Sequence, residues 1–373
     1  MKIGVIHYSL ETLGGGEQVA LHAIKAFKDH RHEVILAATS LPEPQLISTR
    51  FNLDISNCVD QFIFTKGNIQ LMPFLSIYQR LFYSSFTVKK LFAKVTPDCI
   101  FITSGLCIIP EDLIDRTIIY VHYPYDHELY GGKYNSSFWK IYSTPARFIY
   151  ENLYPQKEAI LVTNSNFTKN IIKKIWGRDA FVVYPPVPQY TFSLENNRKN
   201  AVVTLGRFSR EKRYETVLSI ARSLPDIQFH LIGSCVPYNL GYLNKLKKNA
   251  TKNVKFHVNI SHAEKQEILS SAKVMLHTMV GEHFGIAILE AMSAGMMPVV
   301  HNSGGAKEDN IVAPEFRFEE DMDNLEDAKS KIEVAIESWD IDEARIQREK
   351  AKKFNPDRFR TQIAEFIDSH FMK

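Results

Sequence analysis

Five residues of this 373-residue chain have types and spacing that could do chemistry: Glu282, Glu290, Arg207, Lys212 and His122. The two acids lie eight apart in Met279-Val-Gly-Glu-His-Phe-Gly-Ile-Ala-Ile-Leu-Glu-Ala-Met-Ser-Ala-Gly295. Eight residues is a little over two helical turns, a spacing that places two side chains on one helix face. Gly285 interrupts that face, so the helix is expected to begin near Phe284-Gly285. Glu282 then falls in the loop before it, and Glu290 points inward from its second turn. The amides that open such a helix, together with its dipole, suit an anionic ligand.

The chemistry that fits is phosphate chemistry. In Val203-Thr-Leu-Gly-Arg-Phe-Ser-Arg-Glu-Lys-Arg213 a strand ends, and Arg207 and Lys212 follow it. Arg207 can fork two phosphate oxygens, and Lys212 adds a compact charge nearby. The amides at Phe284, Gly285 and Ile286 can finish the cradle. Glu290 can accept two hydroxyls, as from a ribose, and Glu282 can hold a sugar hydroxyl beside a reacting carbon. A departing diphosphate needs its developing charge neutralised. No carboxylate cluster is present, so cations and helix amides are expected to do this without a metal. Singly, each feature has an ordinary reading: charged residues are commonly a solvated face, a glycine run a tight turn, a lone histidine structural. Their order within one chain carries the weight.

These residues require strands that end where they begin. Residues 2–7 read as a buried first strand, followed by Leu13-Gly-Gly-Gly-Glu17, an amphipathic pattern from Gln18 to His30, and a second strand over Glu33–Ala38. A β–loop–α–β opening starts a doubly wound sheet. Gly14-Gly15-Gly16 lacks the spacing of the dinucleotide fingerprint. Further strands are expected at 98–103, 117–122, 159–163 and 180–184. Val183-Tyr-Pro-Pro-Val-Pro188 breaks the pattern. Alternation then restarts at 201–205, 227–233, 254–258, 274–277 and 297–300. Two α/β halves with a linker near 185–198 result, and a last helix is expected over Asp357–Phe371. The acidic stretch Glu315–Asp327 reads as a solvated loop and helix start. The glycine triplet, the 206–213 loop, the Glu282–Glu290 unit and His122 all follow predicted strands. In open α/β sheets ligands bind there, so all four are expected to line the space between two facing sheets.

Composition bounds the alternatives. With 45% apolar and 23% charged residues the chain can build a sizeable core, and a net charge of +3 is too mild to argue for nucleic acid. Its four cysteines contain no C-x-x-C, which suits a reducing compartment. No signal peptide and no apolar run long enough to span a bilayer is seen. One window differs. Between Gln61 and Pro97 there is no acid, while Lys66, Arg80, Lys89, Lys90 and Lys94 alternate with aromatic and aliphatic residues. Such a segment is either a helix lying on an anionic membrane surface or a domain helix whose apolar face is core.

With these residues in view the chain resembles a family 4 retaining glycosyltransferase of the GT-B fold, α/β, with two Rossmann-like doubly wound domains facing a central cleft. The resemblance rests on the E-x7-E motif Glu282–Glu290, the Gly206-Arg-Phe-Ser-Arg-Glu-Lys212 element, the glycine turn after the first strand and Tyr184-Pro-Pro-Val. It implies an acceptor-side domain over 1–188, rejoined by the final helix 356–373, and a donor-binding domain over 189–355. A narrower resemblance, to the α-1,2-mannosyltransferases that extend dolichol-linked oligosaccharide, rests on Tyr120-Val-His-Tyr-Pro124, Thr278-Met-Val-Gly-Glu-His-Phe-Gly285 and His301-Asn-Ser-Gly-Gly305. It implies GDP-mannose as donor, no further cofactor, and a lipid-linked glycan or glycolipid as acceptor at the cytosolic face of a membrane. Arg207 and Lys212 would hold the donor diphosphate and Glu290 the ribose. Glu282 would contact the transferred sugar, with Phe284, Gly285 and Ile286 presenting amides. His122 would lie beside the anomeric centre, and Gly15 and Gly16 would approach the diphosphate or acceptor. The chain departs from that narrower group by being shorter and by lacking a transmembrane anchor.

Other readings are a UDP-sugar-dependent enzyme of the same fold, a nucleotide-sugar epimerase or a glycan phosphorylase. Outside these classes stand a non-catalytic sugar-nucleotide-binding subunit and a nicotinamide-dependent oxidoreductase. The intact set Arg207, Lys212, Glu282 and Glu290 argues against the subunit, and the missing G-x-G-x-x-G against the oxidoreductase.

Overall fold

A computed structural model describes residues 1–64, 89–91, 93–103, 111–124, 159–319 and 325–372, with isolated positions between 141 and 148. Contacts divide the chain into two units. The first comprises Met1–Ser48, Asn52–Pro185 and Asp357–Lys373, the second Thr49–Phe51 and Pro186–Pro356.

The first unit is built on seven parallel strands: β1 (Lys2–Ile6), β2 (Glu33–Ala38), β3 (Gln61–Phe64), β4 (Cys99–Ile102), β5 (Thr117–Val121), β6 (Ile160–Thr163) and β7 (Phe181–Val182). Their order is β3-β2-β1-β4-β5-β6-β7. The central strands are apolar on both faces, because helices cover both sides of a doubly wound sheet. In β1, β2, β4 and β5 every residue is buried except the first of β1 and of β2. The predicted strand at 180–184 shrinks to two residues at the sheet edge, since Pro185 ends it.

The glycine triplet is less of a loop than expected. The helix Gly15–Asp29 starts inside it, with Gly14 as N-cap. Glu17 makes this early start possible: its carboxylate accepts from the Gly14 amide at 2.8 Å and from Thr12 Oγ1 at 2.6 Å. The helix Pro356–Phe371 packs within this unit. Phe359 lies edge-on to Tyr120, and Asp368 accepts from both His30 and His32.

The second unit has six parallel strands: β8 (Lys199–Leu205), β9 (Gln228–Gly233), β10 (Val254–Val258), β11 (Ala272–His277), β12 (Met297–His301) and β13 (Arg317–Phe318). Their order is β10-β9-β8-β11-β12-β13. The order reverses between β8 and β11, and the loops leaving these two neighbours open the crevice in which such sheets hold ligands. The loop after β8 carries Arg207 and Lys212, and the loop after β11 carries Glu282.

Two strands escaped the sequence. β3 lies at the start of the basic, aromatic window, and β13 is two residues inside the acidic stretch. Most of the 61–97 window lies outside the described residues. At its far end Leu91 is fully buried and Val95 packs on the same core, so that face is interior. Lys89 and Lys94 are exposed. The segment read as a linker is also not free: Val187, Tyr190 and Arg198 are buried in the second unit. The Val187 amide donates to Phe354 O, and Arg198 donates to the carbonyls of Leu269, Ala272 and Ala294.

Candidate active site

The site of the second unit begins with backbone. β11 ends at His277, and the loop Thr278–Gly285 leads into the helix Ile286–Ser293. Gly285 is the N-cap with φ 101°, a conformation that side-chain-bearing residues rarely adopt. A Cβ there would also lie 2.7 Å from Ile288 Cδ1. The first helical hydrogen bonds are donated by Ile288 and Leu289 to Gly285 O. The amides of Gly285, Ile286 and Ala287 therefore precede the ladder and face out of the helix N-terminus. Phe284 is not on the surface. It is 2% exposed, edge-on to Phe354 at 5.4 Å, and anchors the turn from below.

A second loop clamps this one. After β12, Ser303 Oγ accepts from the Gly281 amide at 2.7 Å and is bonded to His301 Nδ1. The Gly305 amide donates to Glu282 O at 2.8 Å. Gly304 sits at φ 68°, and a Cβ on it would lie 2.7 Å from Glu282 N and closer still to Glu282 O. The backbone of Glu282 is thus held from below by a residue with no side chain.

Its carboxylate is held as firmly. Lys212 Nζ and His277 Nε2 both bond Glu282 Oε2, at 2.5 and 2.8 Å, and the His283 amide donates to Oε1 at 3.2 Å. Lys212 also lies 3.3 Å from Met279 Sδ, and its carbonyl accepts from Thr278 Oγ1. Burial by itself would raise the pKa of Glu282. The charge of Lys212 and the bond from His277 outweigh it and hold the group well below the usual carboxylate value. Burial pushes His277 down, so its neutral form with the proton on Nε2 donates to Glu282. Arg207 leaves the same β8 loop but stands half exposed, 3.6 Å from Glu211.

Glu290 lies in a neighbouring cluster. It is 8% exposed, and its Oε1 accepts from Tyr190 OH at 2.9 Å and Lys265 Nζ at 2.5 Å. Burial raises its pKa, while Lys265 and Tyr190 overcome that and keep it ionised.

In the first unit, His122 follows β5, its ring 5.1 Å from that of Tyr120, and its carbonyl accepts from Asn164 Nδ2. It meets the glycine turn: a Cβ on Gly16 would lie 3.6 Å from His122 Nε2. Gly15 and Gly16 are the first two residues of their helix rather than loop residues.

The structure therefore joins Lys212 to Glu282 and Gly16 to His122, and sets Glu290 apart with partners of its own. Sequence reading missed His277, Lys265, Tyr190 and Ser303. His277 could have been found as the last residue of a buried strand five positions before Glu282. Nothing local marks Lys265, one lysine among many.

Two family comparisons match almost end to end. Residues 13–189 match Glycosyltransferase Family 4, and residues 189–354 match the glycosyl transferases group 1. Among curated relatives, a GDP-Man:Man(3)GlcNAc(2)-PP-Dol alpha-1,2-mannosyltransferase of Dictyostelium discoideum is 31% identical over 46% of this chain and 40% of that protein. The chain thus spans less than half of that relative. The Homo sapiens protein of the same description is 26% identical over 98% of this chain and 85% of its own length. Among solved structures, a sucrose-phosphate synthase from Thermosynechococcus elongatus superposes with a TM-score of 0.74 at 15% identity, covering 100% of this chain and 99% of that one. The Anabaena HepE protein, solved with UDP and glucose, gives 0.66 at 16% identity over 99% and 100%.

Proposed function

The chain belongs to the family 4 and group 1 glycosyltransferases, carrying both domains in order, and from that premise we propose that it moves mannose from GDP-mannose to a lipid-linked glycan, with retention and an α linkage. The observation that carries the reading is the Lys212–Glu282–His277 cluster beside the N-terminus of the helix Ile286–Ser293, at the β8/β11 reversal.

Lys212 is the charge that Glu282 holds in place. Its ammonium and the half-exposed guanidinium of Arg207 are the cations offered to a diphosphate placed on the amides of Gly285 and Ile286. Glu282 is not a nucleophile: donors engage both oxygens, and its lowered pKa makes it a weak base. It holds Lys212 ready and bonds the transferred sugar, while Glu290 takes the ribose. The bond from the sugar's anomeric carbon to the diphosphate breaks as the acceptor hydroxyl attacks from the same face, and a diphosphate oxygen receives the hydroxyl proton. Charge on that leaving group is neutralised by Lys212, Arg207 and the helix amides, without a metal. His122 is assigned to a hydroxyl of the transferred sugar.

The names of the curated relatives support mannose, GDP and a dolichol-borne acceptor. A lipid-borne acceptor places the work at a membrane surface on its cytosolic side, with the basic window 61–97 as the contact. Among the described residues no helix is long and apolar enough to cross a membrane.

A thermal-shift panel of GDP, UDP, ADP, GDP-mannose, UDP-glucose and NAD tests the donor. Binding stabilises the native state by mass action, about 2.7 kcal/mol at a hundredfold excess over Kd. Selective stabilisation by GDP and GDP-mannose is expected. A response to UDP species alone would keep the transferase and discard mannose, and a response to none would remove the enzyme reading.

A further inference from the structure

We propose that Lys265 is a positioning residue for the donor ribose, pinning one oxygen of the Glu290 carboxylate so that the other is presented to the ribose hydroxyls. This rests on the reading that Glu290 binds the ribose.

The geometry is one-sided. Tyr190 OH and Lys265 Nζ both reach Oε1 of Glu290. A carboxylate fixed through one oxygen can turn only about that contact, and its second oxygen keeps a set direction. Both donors are themselves fixed. Lys265 stands in the first turn of the helix His262–Ser271, whose capping box joins Ser261 and Glu264. Its own amide donates to Ser261 O at 3.0 Å. One turn back, His262 stacks flat on Tyr190, with ring centroids 5.5 Å apart and planes 9° apart. Tyr190 is 4% exposed and leans on Phe192. Two helices, Ile286–Ser293 and His262–Ser271, are thus bridged by one ion pair, with an aromatic stack as its wall.

The arrangement has an electrostatic purpose as well as a geometric one. A carboxylate accepts from two ribose hydroxyls only while it is ionised, and burial works against ionisation. Lys265, Tyr190 and His262 act directly on Glu290, and the Arg50 guanidinium acts in turn on Tyr190 and His262. Of the three that reach the carboxylate, Lys265 is the cation bonded to it. Without it the carboxyl drifts toward its neutral form, and its affinity for a diol becomes dependent on pH.

The test compares GDP, 2′-deoxy-GDP and inorganic pyrophosphate as ligands of the full chain, by calorimetry at pH 6 and pH 8. The proteins are the wild type, K265M, K265Q, Y190F and E290A. The wild type is expected to prefer GDP over 2′-deoxy-GDP by about 10-fold or more, the scale of a hydrogen bond to a charged group. K265M is expected to lose most of that preference and to bind GDP more weakly at pH 6 than at pH 8. Y190F should fall between them. Pyrophosphate, which has no ribose, should bind K265M and the wild type alike, and that equality separates a local effect from a damaged fold. Should K265M not fold, K265Q keeps a donor without the charge and carries the same comparison. If E290A loses the preference while K265M and K265Q keep it, Lys265 has no positioning role. If E290A itself keeps the preference, the ribose reading beneath the proposal is wrong.

Discussion

Replacing Gly304 with alanine should disable the site from beneath, without touching any charged group. A Cβ at Gly304 would stand 2.7 Å from Glu282 N and nearer still to Glu282 O, and ordinary contact begins at 3.4 Å. The neighbour is backbone, so it cannot rotate aside. It must retreat by about 1 Å to bring the nearer atom, Glu282 O, to ordinary contact, and misplacement on the order of 1 Å in a positioned site costs about 10²-fold in rate. The backbone angles of Gly304, φ 68° and ψ −155°, add their own penalty for alanine, on the order of 1–3 kcal/mol. For a unit of this size that corresponds to a fall in Tm of roughly 3–10 °C. The expected result is a folded protein with a lower Tm and a kcat for donor turnover reduced about 10- to 100-fold. Because Glu290 and its partners lie elsewhere, discrimination between GDP and 2′-deoxy-GDP should survive. G304A with wild-type Tm and wild-type kcat would refute the argument that the loop after β12 sets the position of Glu282.

Other perturbations reach different groups. Lys212→Ala removes the charge proposed for the diphosphate and should lower kcat at least about 10²-fold, the scale of one transition-state contact; unchanged turnover would remove Lys212 from the mechanism. Acid stability reports on Glu17. Burial works to raise its pKa, but the His7 ring 3.8 Å away and the bond from Thr12 prevail and hold it at about 2 against an ordinary 4.5. A depressed folded pKa stabilises above the unfolded value and is lost as pH falls through the window between them. Between pH 5 and pH 3 the wild type should therefore lose about 2 kcal/mol more than Glu17→Gln, read from urea midpoints, and parallel losses would contradict the assignment. Reversing Lys89, Lys90 and Lys94 to glutamate should abolish partitioning onto anionic liposomes, and unchanged partitioning would make the 61–97 window simply core.

Much of the architecture was legible because parallel strands are buried on both faces and read as short apolar runs. Glu33–Ala38 and Val254–Val258 occupy the expected residues, and the others shift by one or two. β3 and β13 were missed for a physical reason. Both are short edge strands, and each is embedded in a stretch whose charge pattern points elsewhere, basic for Gln61–Phe64 and acidic for Arg317–Phe318. At the site, residues on one loop were readable together, as Glu282 and the helix start at Ile286 were. Partners brought in by long-range topology were not. Tyr190 meets Glu290 across 100 residues, and Lys265 reaches the same acid from another helix; Lys212 and Glu282 were expected at one site, but not as an ion pair. His277 looked like the end of a strand, which it is, and its bond to Glu282 depends on a loop conformation fixed by Ser303 and Gly304. Spacing within one segment reports faces and caps; it says nothing about which distant lysine neutralises which acid.

The most direct test of the central claim is a transfer reaction with GDP-mannose and a synthetic lipid-linked oligomannose acceptor, reading product mass and anomeric configuration together. The account predicts acceptor-dependent release of GDP, a product one hexose heavier than the acceptor, and an α linkage. Transfer from a UDP-sugar but not from GDP-mannose, or a β-linked product, would contradict it.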